Sequence, residues 1–165
     1  MPLNSNLLRE GISRIIDYNN PNYAGPPSNA VESANMWADV LVDYTQGLIP
    51  ASATVQQAKA AFIGPYIAAI SVPPPSPPPP LAPGQVALET GLVAFAAALA
   101  LGIAPASGGA LIGVPPAVPP VLMLAFAAQV PSASVASATL STTIDAWCRT
   151  GLATNVATGV TINWN

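Results

Sequence analysis

At 165 residues and 52% hydrophobic content, the chain is one domain by length and lies outside the class of charge-rich disordered segments. Four Lys/Arg and seven Asp/Glu residues are its only charges, where an ordinary domain of this size carries roughly forty. A net charge of −3, no histidine and a single cysteine exclude a basic nucleic-acid footprint, an intrachain disulfide and a cysteine-rich metal site, and Cys148 reads as a small buried hydrophobe.

The first residues carry Arg9, Glu10 and Arg14 where a signal peptide needs an unbroken apolar stretch, so no cleavable secretion signal is expected. Residues 5–18 predict a helix with Leu7, Leu8, Ile12, Ile15 and Ile16 on one face, ended by Asn19-Asn20-Pro21. Ser28 is the predicted N-cap of a second helix running to about Gln46, with Val31, Ala34, Trp37, Leu41 and Tyr44 inward. Glu32, Asp39 and Asp43 fall on its other face and read as solubilising charges, although Asp39 and Asp43 have the i,i+4 spacing of an acid–base pair. Thr54-Val-Gln-Gln57 has the form of a capping box opening a third helix, with Val55, Ala58, Phe62 and Tyr66 on its core side. Gly64-Pro65 is expected to kink or end that helix.

Eight of the eleven residues from Pro73 to Pro83 are proline. The pieces on either side are too small and apolar to stand as separate domains. Residues 72–84 therefore read as a stiff polyproline-like crossing within one domain, about 34 Å long if fully extended. Pro73, Pro75 and Pro80 are its candidate contact residues. A proline-reading partner would find PxxP spacing here, but the nearest basic residue is Lys59, so a soluble adaptor remains an alternative reading.

Beyond the run, Gln85–Leu101 predicts a helix apolar nearly all round, and Glu89 is the sole charge between Ala60 and Ile144. The stretch 86–104 reaches bilayer-spanning length, which makes a small membrane-associated protein the first alternative. Against it, Ala and Gly make up half the stretch, and no Lys or Arg between residues 60 and 148 orients a span. The helix reads as buried by protein. Residues 105–120 read as irregular, 121–129 as a short helix, and Ser132 as the cap of a final helix to about Thr150 with Val135, Leu140, Ile144 and Trp147 on one side. Gly47-Leu48, Gly102-Ile103 and Gly151-Leu152 each look like a C-terminal glycine stop. The tail, 153–165, reads as an extended arm in which Val160, Ile162 and Trp164 alternate with polar residues after a Gly turn. Those three are candidate anchors on a neighbouring sheet edge, with folding back onto the same domain the equal alternative.

No Ser–His or Cys–His nucleophile exists without a histidine. Lys59 is the only lysine and has no Ser-x-x-Lys spacing, and SGGALIG at 107–113 lacks the Lys-Ser/Thr ending of a phosphate loop. No catalytic, cofactor-binding or metal-ligating residue is assigned, and an enzyme is not expected. The elements together describe a mainly α domain: a small bundle of about five helices over residues 1–165, with a Pro-rich extended crossing and an extended or β tail.

The acidic, histidine-free composition, WADVLVDYTQGLIPAS at 37–52, IDAWCRTG at 144–151 and VTINWN at 160–165 resemble small structural proteins in the virions of tailed bacteriophages, including cyanophage-like head, neck and tail components. The resemblance implies a protein that builds or decorates the particle through contacts with copies of itself and other virion proteins, assembled in the host cytoplasm. From the residues themselves, no cofactor, small-molecule substrate or nucleic-acid contact is expected, and a membrane is the less favoured setting. Composition agrees, because a subunit buried among neighbours needs few charges, whereas a monomer rarely tolerates apolar patches beyond a few hundred Å².

Overall fold

The computed structural model describes residues 3–48, 53–72, 83–122 and 132–164. Among these, the helices are α1 (Ser5–Ile16), α2 (Ala30–Thr45), α3 (Ala53–Ile70), α4 (Pro83–Ala106) and α5 (Ala133–Cys148). The strands β1 (Leu111–Val114), β2 (Leu152–Asn155) and β3 (Thr161–Asn163) form one antiparallel sheet in that order. The fold is mainly helical, as the sequence implies, with a small sheet added.

Three helix starts are set by a side chain that accepts an otherwise orphaned backbone N–H. Asn4 accepts from Leu7, Asn29 from Glu32, and Ser132 from Val135. The second cap is thus Asn29 rather than Ser28. Ser28 instead donates both its hydroxyl and its backbone N–H to the Glu32 carboxylate, a capping box displaced by one residue. These two donors, the hydroxyl foremost, hold the Glu32 carboxyl below its usual range.

Neighbouring helices run antiparallel, and side-chain pairs fix each register. Gly11 of α1 sits against Val40 of α2, Ser33 and Tyr66 hydrogen-bond between α2 and α3 at 2.8 Å, and Lys59 pairs with Asp39 across the same two helices. The acidic face of α2 therefore has a basic partner, which the linear sequence hid. Between α3 and α4, Phe62 covers Gly91 and Thr54 covers Gly102. The core follows this pairing: Leu8, Ile12, Leu41, Tyr44, Phe62, Leu92, Leu99 and Ile144 are fully buried. Val31 and Val135, expected inward, are exposed on the first turns of α2 and α5.

Two helices run past residues read as possible ends. α3 continues through Pro65 to Ile70, with Phe62 and Tyr66 stacked at 5.3 Å on its buried side across the proline. The missing amide leaves only the Ala61 carbonyl without its helical donor, and packing on both sides of that turn outweighs it. α4 likewise passes Gly102 and Pro105, and stops at Gly108 and Gly109, whose φ values of 65° and 83° are the left-handed conformation a helix end uses. The Gly109 N–H closes the turn onto the Ala104 carbonyl at 2.7 Å.

Gly102 is needed for closeness, because a Cβ there would lie 1.6 Å from Thr54 Cγ2. Gly151 is not in the left-handed region either. Thr54 stands inside α3 and packs on α4 instead of capping. The short helix expected at 121–129 falls almost entirely on residues outside those described. Replacing Gly102 by Ala should destabilise the fold by about 1–3 kcal/mol despite the better helix propensity of Ala. Thr54→Ala in the same chain should recover part of the loss. Urea denaturation of the two variants checks this, and an unchanged midpoint for Gly102→Ala contradicts the close approach.

Candidate functional site

The C-terminal tail folds back onto its own domain. Asn155 ends β2 by accepting the N–H groups of Ala157 and Thr158 on its side-chain oxygen, both at 3.0 Å, and Gly159 at φ 70° completes the reversal into β3. The register then places Leu152 opposite Asn163, Ala153 opposite Ile162, and Thr154 opposite Thr161. β1 adds on the other side, pairing Ile112 with Thr154 and Gly113 with Ala153. Gly113 lets this sheet lie on α4, since a Cβ there would be 2.3 Å from the Ala100 carbonyl oxygen.

Val160, Ile162 and Trp164 project to one side of the tail, as the alternation predicts. Their burial differs sharply. Trp164 is 1% exposed, with its indole over Gly151 and its Nε1–H donating to the Leu152 carbonyl at 2.9 Å. Ile162 and Val160 are 54% and 59% exposed because they lie farther along the strand from the Gly151 site that receives the indole. Trp164 is a fastener within the chain, and the other two are open to a partner. Pro73, Pro75 and Pro80 lie outside the described residues. Their flanks are described, and the Phe62–Gly91 and Thr54–Gly102 contacts put Ile70 and Pro83 at the same end of the α3–α4 pair.

A polar cluster joins α2 and α5. Tyr44 donates its hydroxyl to Asp145 at 2.7 Å, and Arg149 Nε donates to the other Asp145 oxygen at 2.8 Å. Arg149 also reaches the Leu3 carbonyl, at 3.3 Å. The bond to Asp145 holds the Arg149 guanidinium above its usual range. Burial, the nearby Cys148 and the bond to Asp145 raise the Tyr44 hydroxyl. Burial pushes the Cys148 thiol up to about 12, so it is an inert core group.

Elsewhere, a groove of about 300 Å³ between α1 and α2 is lined by Leu7, Glu10, Arg14, Met36, Asp39 and Asp43. Asp39 is engaged by Lys59 and Asp43 by Gln46. Among the described residues no group of three or more His, Cys, Asp or Glu is placed to hold a metal ion. α4 presents the larger surface feature. Val86, Thr90, Val93, Ala97 and Leu101 recur at helical spacing along its outward side, and Leu101 is 80% exposed. Thr90 turns its hydroxyl onto the Val86 carbonyl, which leaves this stripe without an outward-directed donor.

Sequence reasoning missed β1 and the Tyr44–Asp145–Arg149 cluster, and took β2 only as part of the extended or β tail without its pairing. LIGV and LATN are four-residue segments, too short for a period-2 signal. The i,i+4 spacing of Asp145 and Arg149 was the available clue to the cluster. The chain matches no protein-family model, no curated protein and no solved structure.

Trp164→Ala should cost about 3–5 kcal/mol, as for other buried aromatics, while the helical circular-dichroism signal survives in the absence of denaturant. A loss below about 1 kcal/mol contradicts the fastening role. The raised Cys148 thiol predicts alkaline destabilisation. Below about pH 9 both states hold the proton; above it the unfolded thiol ionises while the folded one keeps its proton to about 12, so stability falls across that window. Denaturation midpoints should decline from pH 9 to 12, and less steeply in Cys148→Ala.

Proposed function

We propose that the chain is an assembly subunit: a structural protein of a tailed-phage virion that builds or decorates the particle through subunit–subunit contacts. Its partners are copies of itself and other virion proteins, it needs no cofactor, and it performs no catalysis. The single observation that carries this reading is the outward stripe of α4, apolar along its length apart from Thr90; exposed Ile112 and Val114 on one face of the uncharged sheet, and Val160 and Ile162 on the other, add to the apolar surface. A surface of this kind gains free energy by leaving water, at about 25 cal/mol per Å² of apolar area.

A second reading follows from the same helix. Gly84–Ala106 is long and apolar enough to cross a membrane by length and composition. Protein contact is favoured because only one stripe of α4 faces outward. Its other sides pack on Phe62, Thr54 and β1, and Glu89 accepts the Leu122 backbone N–H at 2.9 Å. The basic residues that orient a spanning helix are also missing, since no Lys or Arg occurs between residues 60 and 148.

Fractionation separates the two. Expressed alone, the protein should sediment as oligomers or aggregates from buffer without detergent, and alkaline carbonate should strip it from any membrane pellet. Carbonate-resistant partition into membranes would overturn the assembly reading.

A further inference from the structure

We infer that β3 is a twofold interface, on which a second copy of this chain pairs antiparallel through its own β3 with Ile162 at the symmetry axis. The inference rests on the assembly reading and names one of its contacts. Asn155 N–H donates to the Val160 carbonyl at 2.8 Å, and Trp164 N–H donates to the Gly151 carbonyl at 2.9 Å. Ile162 lies midway between them, opposite Ala153. In an antiparallel ladder successive residues direct their N–H and C=O to opposite sides. Val160, Ile162 and Trp164 therefore bond inward to β2, and Thr161 and Asn163, both exposed, present their N–H and C=O groups along the edge that no other described strand occupies.

That edge is self-complementary. Two free residues flank one central residue, so a twofold axis through Ile162 sets Thr161 opposite the second copy's Asn163, and Asn163 opposite its Thr161. Both become hydrogen-bonded pairs, and four edge groups on each copy gain partners. Ile162 meets its own symmetry mate in a non-hydrogen-bonded pair, where side chains approach most closely, and each Val160 lies beside the opposing Trp164 position. No charged residue occurs from Thr150 to Asn165, so two identical edges meet without like-charge repulsion. The usual guards of a sheet edge (a lysine, a proline, an inward-pointing charge) are missing from Val160–Trp164. Trp164 acts on the interface indirectly, by fixing the strand to Gly151 in the orientation that leaves Thr161 and Asn163 outward.

A three-residue strand buries less than the roughly 800 Å² per partner of a standard stable interface, so this pairing is weak alone and is best trapped covalently. The experiment introduces one cysteine into the full chain, since native Cys148 is buried, and follows disulfide dimer formation under mild oxidation. At the axis the two Cα atoms of residue 162 stand about 4.5 Å apart, within disulfide reach. The two copies of residue 160 are separated by about 13 Å, beyond it.

Ile162→Cys should therefore dimerise at least about tenfold faster than Val160→Cys. Adding Thr161→Pro, which removes an edge N–H from each copy and leaves the β2 ladder intact, should slow Ile162→Cys cross-linking by about tenfold to a hundredfold. Circular dichroism of each variant confirms the fold. Equal rates at positions 160 and 162, or cross-linking indifferent to Thr161→Pro, overturn the twofold pairing. If the unmodified chain self-associates while Ile162→Cys fails to cross-link, this edge is wrong and the assembly reading stands. If the unmodified chain stays monomeric at high concentration and Ile162→Cys also fails, both fall.

Discussion

The distance between α3 and α4 is the constraint from which the rest of the fold is built. Gly91 and Gly102 remove the side chains that would hold the helices apart, so the Phe62 ring and the Thr54 methyl lie almost on the α4 backbone. Close packing of this kind gains many small dispersion contacts and leaves no room for water. Everything on either side depends on it. α3 offers Tyr66 and Lys59 to α2, and the far end of α4 offers the Ala100 carbonyl and Ile103 as the bed on which Gly113 and the sheet rest. The same arrangement turns Val86, Val93 and Leu101 away from the body.

Charge is scarce in the second half of the chain, and the charges that remain are engaged within it. Glu89 accepts from the Gln85 side chain and from the Leu122 amide, which ties the return segment to the start of α4. Asp145 and Arg149 bind each other, and with Tyr44 and Leu3 they join α5 to α2 and to the beginning of the chain. Charge-assisted hydrogen bonds of this type are worth more in partly desolvated positions than at the surface. The consequence is an outer surface without charge over α4 and the sheet, and with an apolar stripe along α4. That is the physical content of the assembly proposal.

Much of the helical part was legible in sequence because a 3.6-residue period over twelve or more residues is a strong signal. Val55, Ala58, Phe62 and Tyr66 are all buried at the spacing that predicts them. Signals that rest on one or two residues fared worse, since a glycine or proline states what the backbone tolerates and not why it is there. Gly102 and Gly151 resemble stops but serve closeness, while Gly108 and Gly109 hold the real helix end. Pro65 resembles a break, but stacked aromatics on the core side carry the helix past it. For the tail, alternation correctly put Val160, Ile162 and Trp164 on one side; which of them is covered depends on Gly151, a tertiary fact invisible in the local pattern.

The claim that binds these observations is that association proceeds through uncharged, apolar surface. Sedimentation velocity of the purified chain across a series from low to high sodium chloride tests it most directly. Screening weakens contacts made by exposed charges within a Debye length of about 10 Å at 0.1 M salt, whereas contacts made by apolar area and backbone hydrogen bonds persist. Oligomers that hold or grow as salt rises are the predicted result. Oligomers that dissociate into monomers as salt rises, or a chain that is monomeric throughout, would contradict it.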